Sequence, residues 1–419
     1  MKSPPPAALS FPEGFLFGCA TAAHQVEGGN HANDWWAWEQ LPGHIKNGDR
    51  SDPACEQFQR FASDFDLLRS LHQNAHRLSL EWSRIEPAPG EFSATALAHY
   101  RDVLHALRDR GMEPMVTLHH FTNPTWIADA GGWESPQTPE YFARFAERVT
   151  NELAGLARLW ITINEPTVVA YQGYIRGEWP PGKHDFGAAL RVVVQLIRGH
   201  WLAYERIKRR HPELQVGLAH HLRIFDPARW FAPQDRIVAT AFNRVFNLTM
   251  LRSLRKGRLV FPLTRHGLTQ NGRPSGPPQS QDFIGLNYYT RELVKFNHRY
   301  GAEAGSIATN LTGGIKNVGL VYIDATGVSR RALLKSVAKG MVVGRMRDGK
   351  QVVVGAGDGG QVPQGVNANA EAGPSSSGLG VRDPVVRRPS PSPTPPPAYG
   401  ASGTVSLGGT PGSGSGGKR

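Results

Sequence analysis

The sequence predicts an α/β fold: a (β/α)8 TIM barrel whose last two βα units are missing, degenerate or replaced, followed by a disordered Gly/Pro/Ser-rich tail. Three observations lead there. Short apolar runs alternate six times with helix-patterned segments up to about residue 295, and such alternation implies a parallel sheet with helices outside. Polar or ionisable groups recur at the C-terminal ends of the runs: Gln25 and Glu27, Arg84 and Glu86, His119 and His120, Asn164 and Glu165, His220 and His221, Asn287 and Tyr289. In a closed barrel those ends converge on one mouth. An open doubly wound sheet would instead want a G-x-G-x-x-G after its first strand, and AHQVEGGN (23–30) is not one.

Each element follows from local pattern. FLFGCATAA (15–23), AHRLSLEW (75–82), EPMVTLHHF (113–121), LWITINE (159–165), QVGLAHH (215–221) and DFIGLNYYT (282–290) are the six strands, in order. Between them, segments such as ACEQFQRFASDFDLLRSLHQ (54–73) and PEYFARFAERVTNELAGLA (139–157) repeat apolar residues at three- and four-residue steps, as an amphipathic helix does. The fourth strand is the most telling. Leu159, Trp160, Ile161 and Ile163 make a nearly continuous apolar run, the pattern of a strand covered on both faces, and Pro166 stops it. Glu165 at its end loses solvation if ionised, so it is either paired or has a raised pKa suited to moving protons.

Composition divides the chain. Residues 11–300 are assigned to the barrel, 301–357 to a possible degenerate end of it, and 358–419 to the tail. The 10 Trp, 18 Phe and 16 His all precede residue 300, whereas residues 301–419 keep 25 of the 47 Gly. GLVYIDATG (319–327) and QVVVGAG (351–357) read as strands and RRALLKSVAKGM (330–341) as a helix. From about 358 the sequence buries too little apolar surface to offset chain entropy, and PSPSPTPPPAYG has polyproline character. Residues 301–419 hold 13 Lys+Arg against 6 Asp+Glu, a net +7 of the chain's +12. The basic pI therefore belongs mostly to that segment, where scattered charge without interleaved aromatics argues against nucleic acid as a partner. Two cysteines, Cys19 and Cys55, are too few for a disulfide framework and point to a reduced, cytoplasmic compartment. Three prolines occupy the place of a signal-peptide core in MKSPPPAALSFPEG, and no stretch approaches the roughly 20 apolar residues of a membrane span.

The strand ends combine a glutamate behind an asparagine, carboxamides, histidines and a tyrosine with a load of tryptophan: Trp35, Trp36, Trp126, Trp133 and Trp179. Sugars are recognised by dense hydrogen bonds to hydroxyls and by stacking of C–H faces on aromatic rings. Six motifs carry a resemblance in order: FLFGCATAAHQVEGG, RLSLEWSRIEP, VTLHHFTNP, TINEP, GYIRGEWPPG and DFIGLNYYT. With them the chain resembles glycoside hydrolase family 1, the β-glucosidase and β-galactosidase family, over about residues 11–295. The resemblance implies a retaining β-glycosidase acting on terminal β-D-glycosides, with a small sugar as partner and no cofactor. It assigns Glu165 the acid/base role and Asn164 the sugar 2-hydroxyl, a contact that strengthens in the transition state. Gln25 and His120 match the glycone-binding pair. Arg77 and Tyr289 match positions that hold the nucleophilic carboxylate, and Asn287 lines the pocket. Trp35 and Trp36, in the loop after the first strand, are candidates for aglycone contact or for packing alone.

Plainer roles stand beside these. A glutamate before a helix also serves as its cap. His119 reads as a packed neighbour of His120, because adjacent strand residues face opposite ways. His220 and His221, being adjacent, cannot easily share one ion, no Cys or carboxylate joins them, and no metal is expected.

The sequence departs from the family at the second carboxylate. Retention needs two carboxyl groups about 5 to 5.5 Å apart, and the family places its nucleophile in T-E-N-G on the seventh strand, followed by an E-W pair on the eighth. Neither is present. TQNG (269–272) precedes the NYYT strand and offers an amide, and VYIDATG puts Ala325 where Glu would stand, with Asp324 the nearest substitute. After residue 300 the glutamates are Glu303 and Glu371. An out-of-frame reading of a GC-rich gene, or a recombined end, would produce this change of composition. The sequence thus leaves two functions open: a β-glycosidase of low or lost activity, and a catalytically inactive sugar-binding or regulatory protein.

Overall fold

A computed structural model describes residues 12–260, 263 and 275–296, and the backbone strands at 318–324, 341–345 and 351–355. The expected strands are β1 (Gly18–Ala20), β2 (Ala75–Ser79), β3 (Glu113–His119), β4 (Leu159–Asn164), β5 (Gln215–Pro227) and β6 (Phe283–Val294). They lie side by side in chain order, every neighbouring pair parallel. β5 and β6 outrun the sequence pattern and stay paired as far as Pro227 and Val294. The expected helices are Gln57–Ser70 and Thr138–Leu153, and Ala94–Asp109 and Phe186–Arg210 pack in the same layer.

The period of two explains how each strand is covered on both faces. Met115, Leu159, Ile161, Ala219 and Phe283 form an inner cluster against Leu16. Their sequence neighbours Val116, Leu118, Trp160, Val216 and Leu218 join the larger outer cluster under the helices. The helix Thr138–Leu153 buries Phe142, Phe145, Ala146, Val149 and Leu153 at helical spacing, and Trp82 stacks on Phe145 at 5.0 Å between ring centres. Helix starts are set by side-chain caps: Ser93 accepts from the Ala96 N–H, and Asp185 from the Ala188 N–H. Among the described residues no helix is long and apolar enough to cross a membrane.

Past β6 the barrel order changes. β7 (Val318–Asp324) pairs with β6 antiparallel, with Asp324 opposite Phe283 and Val318 opposite Tyr288. VYIDATG thus follows β6 in chain order, but its strand runs against the barrel direction instead of with it. A parallel neighbour needs a crossover of a dozen or more residues, usually a helix, and GAEAGSIATNLTGGIKN (301–317) has no helical apolar period. A shorter antiparallel sheet follows, β8 (Met341–Arg345) with β9 (Gln351–Gly355). The sequence pattern predicts β9 but not β8. The proposed helix at 330–341 lies outside the described residues except for Met341, which opens β8. TQNG, Glu303, Ala325, Glu371 and the tail from 358 also lie outside them.

Candidate active site

The site begins with an irregularity in β4. Ile161 pairs with Gly217 but Asn164 with Ala219, so β4 carries one extra residue before its end. Glu165 then adopts a left-handed backbone, φ 48° and ψ 54°, at a cost of about 1 kcal/mol for a residue with a Cβ. Its N–H is held by the Ala219 carbonyl at 2.7 Å. Consecutive residues on a regular strand face opposite ways. The bulge and the left-handed turn let Asn164 and Glu165 share one network instead.

That network spans five strands. Arg77 on β2 donates to Thr117 Oγ1 on β3 (2.9 Å) and to Asn164 Oδ1 (2.6 Å). Asn287 on β6 donates from Nδ2 to the same Asn164 oxygen (3.0 Å) and to Glu165 Oε1 (2.6 Å). Asn164 Nδ2 lies 3.3 Å from His120 Nε2. On the other side, His221 Nδ1 of β5 lies 3.2 Å from Glu165 Oε2. With two donors on its oxygen and one N–H on His120, the Asn164 carboxamide keeps one N–H for a ligand.

Glu165 is buried, at 5% exposure. Burial by itself pushes the carboxyl up, but the His221 and Asn287 hydrogen bonds and the charge of Arg77 hold it below the ordinary glutamate value. Of the two states open to a buried glutamate, paired or raised, the structure shows the paired one. Burial lowers Arg77 to about 10, against the pull of Glu165. Burial and the Glu165 charge push Tyr289 up to about 12. Burial, helped by Arg77 and His119, holds His120 well below its ordinary value and so neutral.

The structure brings together Glu165, Asn164, Arg77, Asn287 and His120, with Tyr289 hydrogen-bonded to Glu165. Gln25 is exposed and lies not at the end of β1 but in the short helix Ala23–Val26 after it, with no side-chain hydrogen bond to this group. His119 lies on the opposite side from His120, against Asn123 and Trp133. Trp35 meets Trp179 edge-on at 5.0 Å and lines a cavity of about 480 Å³ with Phe121, Trp133 and Tyr174, whereas Trp36 packs on His31 outside that lining. The Asp324 backbone lies away from the Asn287 end of β6. It sits opposite Phe283, four residues before Asn287 on β6, and at about 3.3 Å per residue that is about 13 Å along the strand.

Sequence reasoning missed Thr117, His221 and Arg223. Arg223 donates from Nε to His221 Nε2 (3.3 Å) and is anchored by Glu292 (2.7 Å). The HH pair reads in sequence as strand-end groups or a metal pair, not as partners of the glutamate. Its place on the strand next to TINEP was the signal for a role beside Glu165.

The profile of glycosyl hydrolase family 1 matches residues 7–326, past the expected limit near 295. Beta-glucosidase A of Thermotoga maritima is 32% identical over 314 residues, covering 72% of this chain and 70% of the relative. A solved beta-glycosidase from Pyrococcus horikoshii is similar at TM-score 0.61 and 36% identity, over 69% of this chain and 64% of that one. The Thermotoga maritima beta-glucosidase in complex with glucoimidazole is similar at TM-score 0.63 and 31% identity, over 68% of each. This chain therefore spans about two thirds of those solved relatives. Because the profile reaches across all six parallel strands and the residues at their ends, the chain belongs to glycosyl hydrolase family 1.

Proposed function

We propose that this chain holds the glycone pocket and proton donor of a retaining β-glycosidase for terminal β-D-glucosides or galactosides, and that its turnover is low or absent. One observation carries the first half: Glu165 is buried with both oxygens held by donors, beside Asn164 and His120, where parallel strands end. Glu165 is the acid/base, Asn164 offers its remaining N–H to the sugar 2-hydroxyl, and His120 and Gln25 take outer hydroxyls. Arg77 and Tyr289 shape the charge beside Glu165.

The second half rests on charge. A glutamate held ionised by its neighbours suits the base step, activation of water. The acid step needs it protonated, which a second carboxylate nearby promotes by like-charge repulsion. Among the described residues, the next carboxylate in the network is Glu292, and Arg223 and His221 stand between it and Glu165. A barrel end whose last two βα units are missing, degenerate or replaced, through a change of reading frame or recombination, would account for this. Cys19 and Cys55 are free, in keeping with a cytoplasmic protein.

Hydrolysis of p-nitrophenyl β-glucoside tests the reading: turnover abolished by Glu165→Gln supports catalysis by the chain itself. Product from an activated glycosyl fluoride only with added azide or formate supports a working pocket without its nucleophile. The second reading, an inactive sugar-binding protein, is favoured if glucose raises the melting temperature and neither assay gives product. Absence of all three responses refutes both.

A further inference from the structure

His221 and Arg223 form a device that the family reading leaves unexplained. Arg223 Nε carries a hydrogen and points at His221 Nε2, 3.3 Å away, so Nε2 accepts and the ring proton sits on Nδ1. Nδ1–H then faces Glu165 Oε2 at 3.2 Å. Arg223 is itself fixed by Glu292 at 2.7 Å and lies over the Phe246 and Tyr171 rings at 5.1 and 5.5 Å. We propose that His221 is the positioning residue that keeps Glu165 ionised, and that Arg223 acts through it by locking the imidazole tautomer.

The logic is one of donors. Asn287 Nδ2–H covers one glutamate oxygen and His221 Nδ1–H the other. A protonated Glu165 that turns its O–H toward either of them sets donor against donor, whereas the Tyr289 hydroxyl, which also bonds Glu165, can accept it. Asn287 is a carboxamide whose oxygen can be presented only by turning the group over, which also removes its bond to Asn164. His221 can accept at Nδ1 only by moving its proton to Nε2, and there it meets Arg223. Protonation of Glu165 on the oxygen that faces His221 is therefore coupled to displacement of Arg223 from the ring. The other groups facing the pair are Arg77 from β2, Tyr289 from β6, His220 beside His221 on β5, and His120 from β3 by way of Asn164. Of these Arg77 also favours the ionised form, and the imidazoles of His120 and His220 are kept neutral by burial.

The inference rests on the assignment of Glu165 as proton donor, so its test reads protonation rather than turnover. The full chain, with glutamate labelled by 13C at the side-chain carboxyl, is titrated by NMR, the Glu165 signal being identified by its loss in Glu165→Gln. His221→Leu removes the donor and raises the Glu165 midpoint by about one pH unit or more. His221→Asn keeps an N–H near the Nδ1 position and leaves the midpoint close to that of the parent. In Arg223→Met, 15N shifts of His221 change from the Nδ1–H form to a mixture of tautomers. A midpoint unmoved by His221→Leu overturns the proposal, as does a His221→Asn shift as large as that of Leu, which would mark general packing as the cause. Missing sugar binding and turnover, with these midpoints as expected, would instead sink the glycosidase reading alone.

Discussion

Gly217→Ala tests whether β5 and β6 pack as closely as the site requires. Gly217 faces Phe283 in register, inside the barrel. A Cβ built on it lies 2.5 Å from the Phe283 carbonyl oxygen and 2.8 Å from two carbons of its ring. Reaching 3.4 Å, the near limit of ordinary Cβ contact, takes a movement of 3.4 − 2.5 = 0.9 Å. The obstacle is backbone of the neighbouring strand, so rotamer changes cannot relieve it. Overpacking of this kind costs about 1–3 kcal/mol, which for a domain of this size lowers the melting temperature by about 2 to 12 °C. The same shift parts the strand bearing His221 from the strand bearing Asn287, so the two bonds to Glu165 cannot both keep their lengths. Thermal unfolding followed by circular dichroism, with ligand-free parent and variant side by side, provides the measurement. A variant melting within about 1 °C of the parent would refute the β5–β6 packing described here.

The remaining predictions follow from burial and charge. Phe283→Ala, at a fully buried inner position, destabilises by about 3–5 kcal/mol in urea titration. The Glu165 carboxyl is lower in the folded chain than its ordinary 4.5, so its contribution is present above that value and lost as pH falls through the folded one. The stability advantage of the parent over Glu165→Gln therefore shrinks as pH falls below about 4.5. Asp34 and Glu27 are pushed up to about 7, chiefly by burial, and the sign reverses. Their contribution is present at acid pH and lost as pH rises through about 7. Asp34→Asn should flatten the fall in stability between about pH 4 and pH 7, and an unchanged slope would show that Asp34 does not titrate there.

The local pattern of the chain determined the six parallel strands, because apolar runs buried on both faces have few other uses, and it determined which residues stand at their ends. Asn164, Glu165, Asn287 and His120 were legible for that reason. Tertiary structure decided what the ends do together. No propensity signals the extra residue in β4 or the left-handed turn at Glu165, since both are held by pairing with β5, more than fifty residues later in the chain. The role of His221 depends on Arg223 and Glu292 meeting across β5 and β6, contacts without a sequence period. Strand direction was hidden for the same reason. VYIDATG has the composition of a strand, but composition is the same whether a strand runs with β6 or against it, and the antiparallel pairing puts Asp324 beside Phe283, four residues before Asn287 on β6.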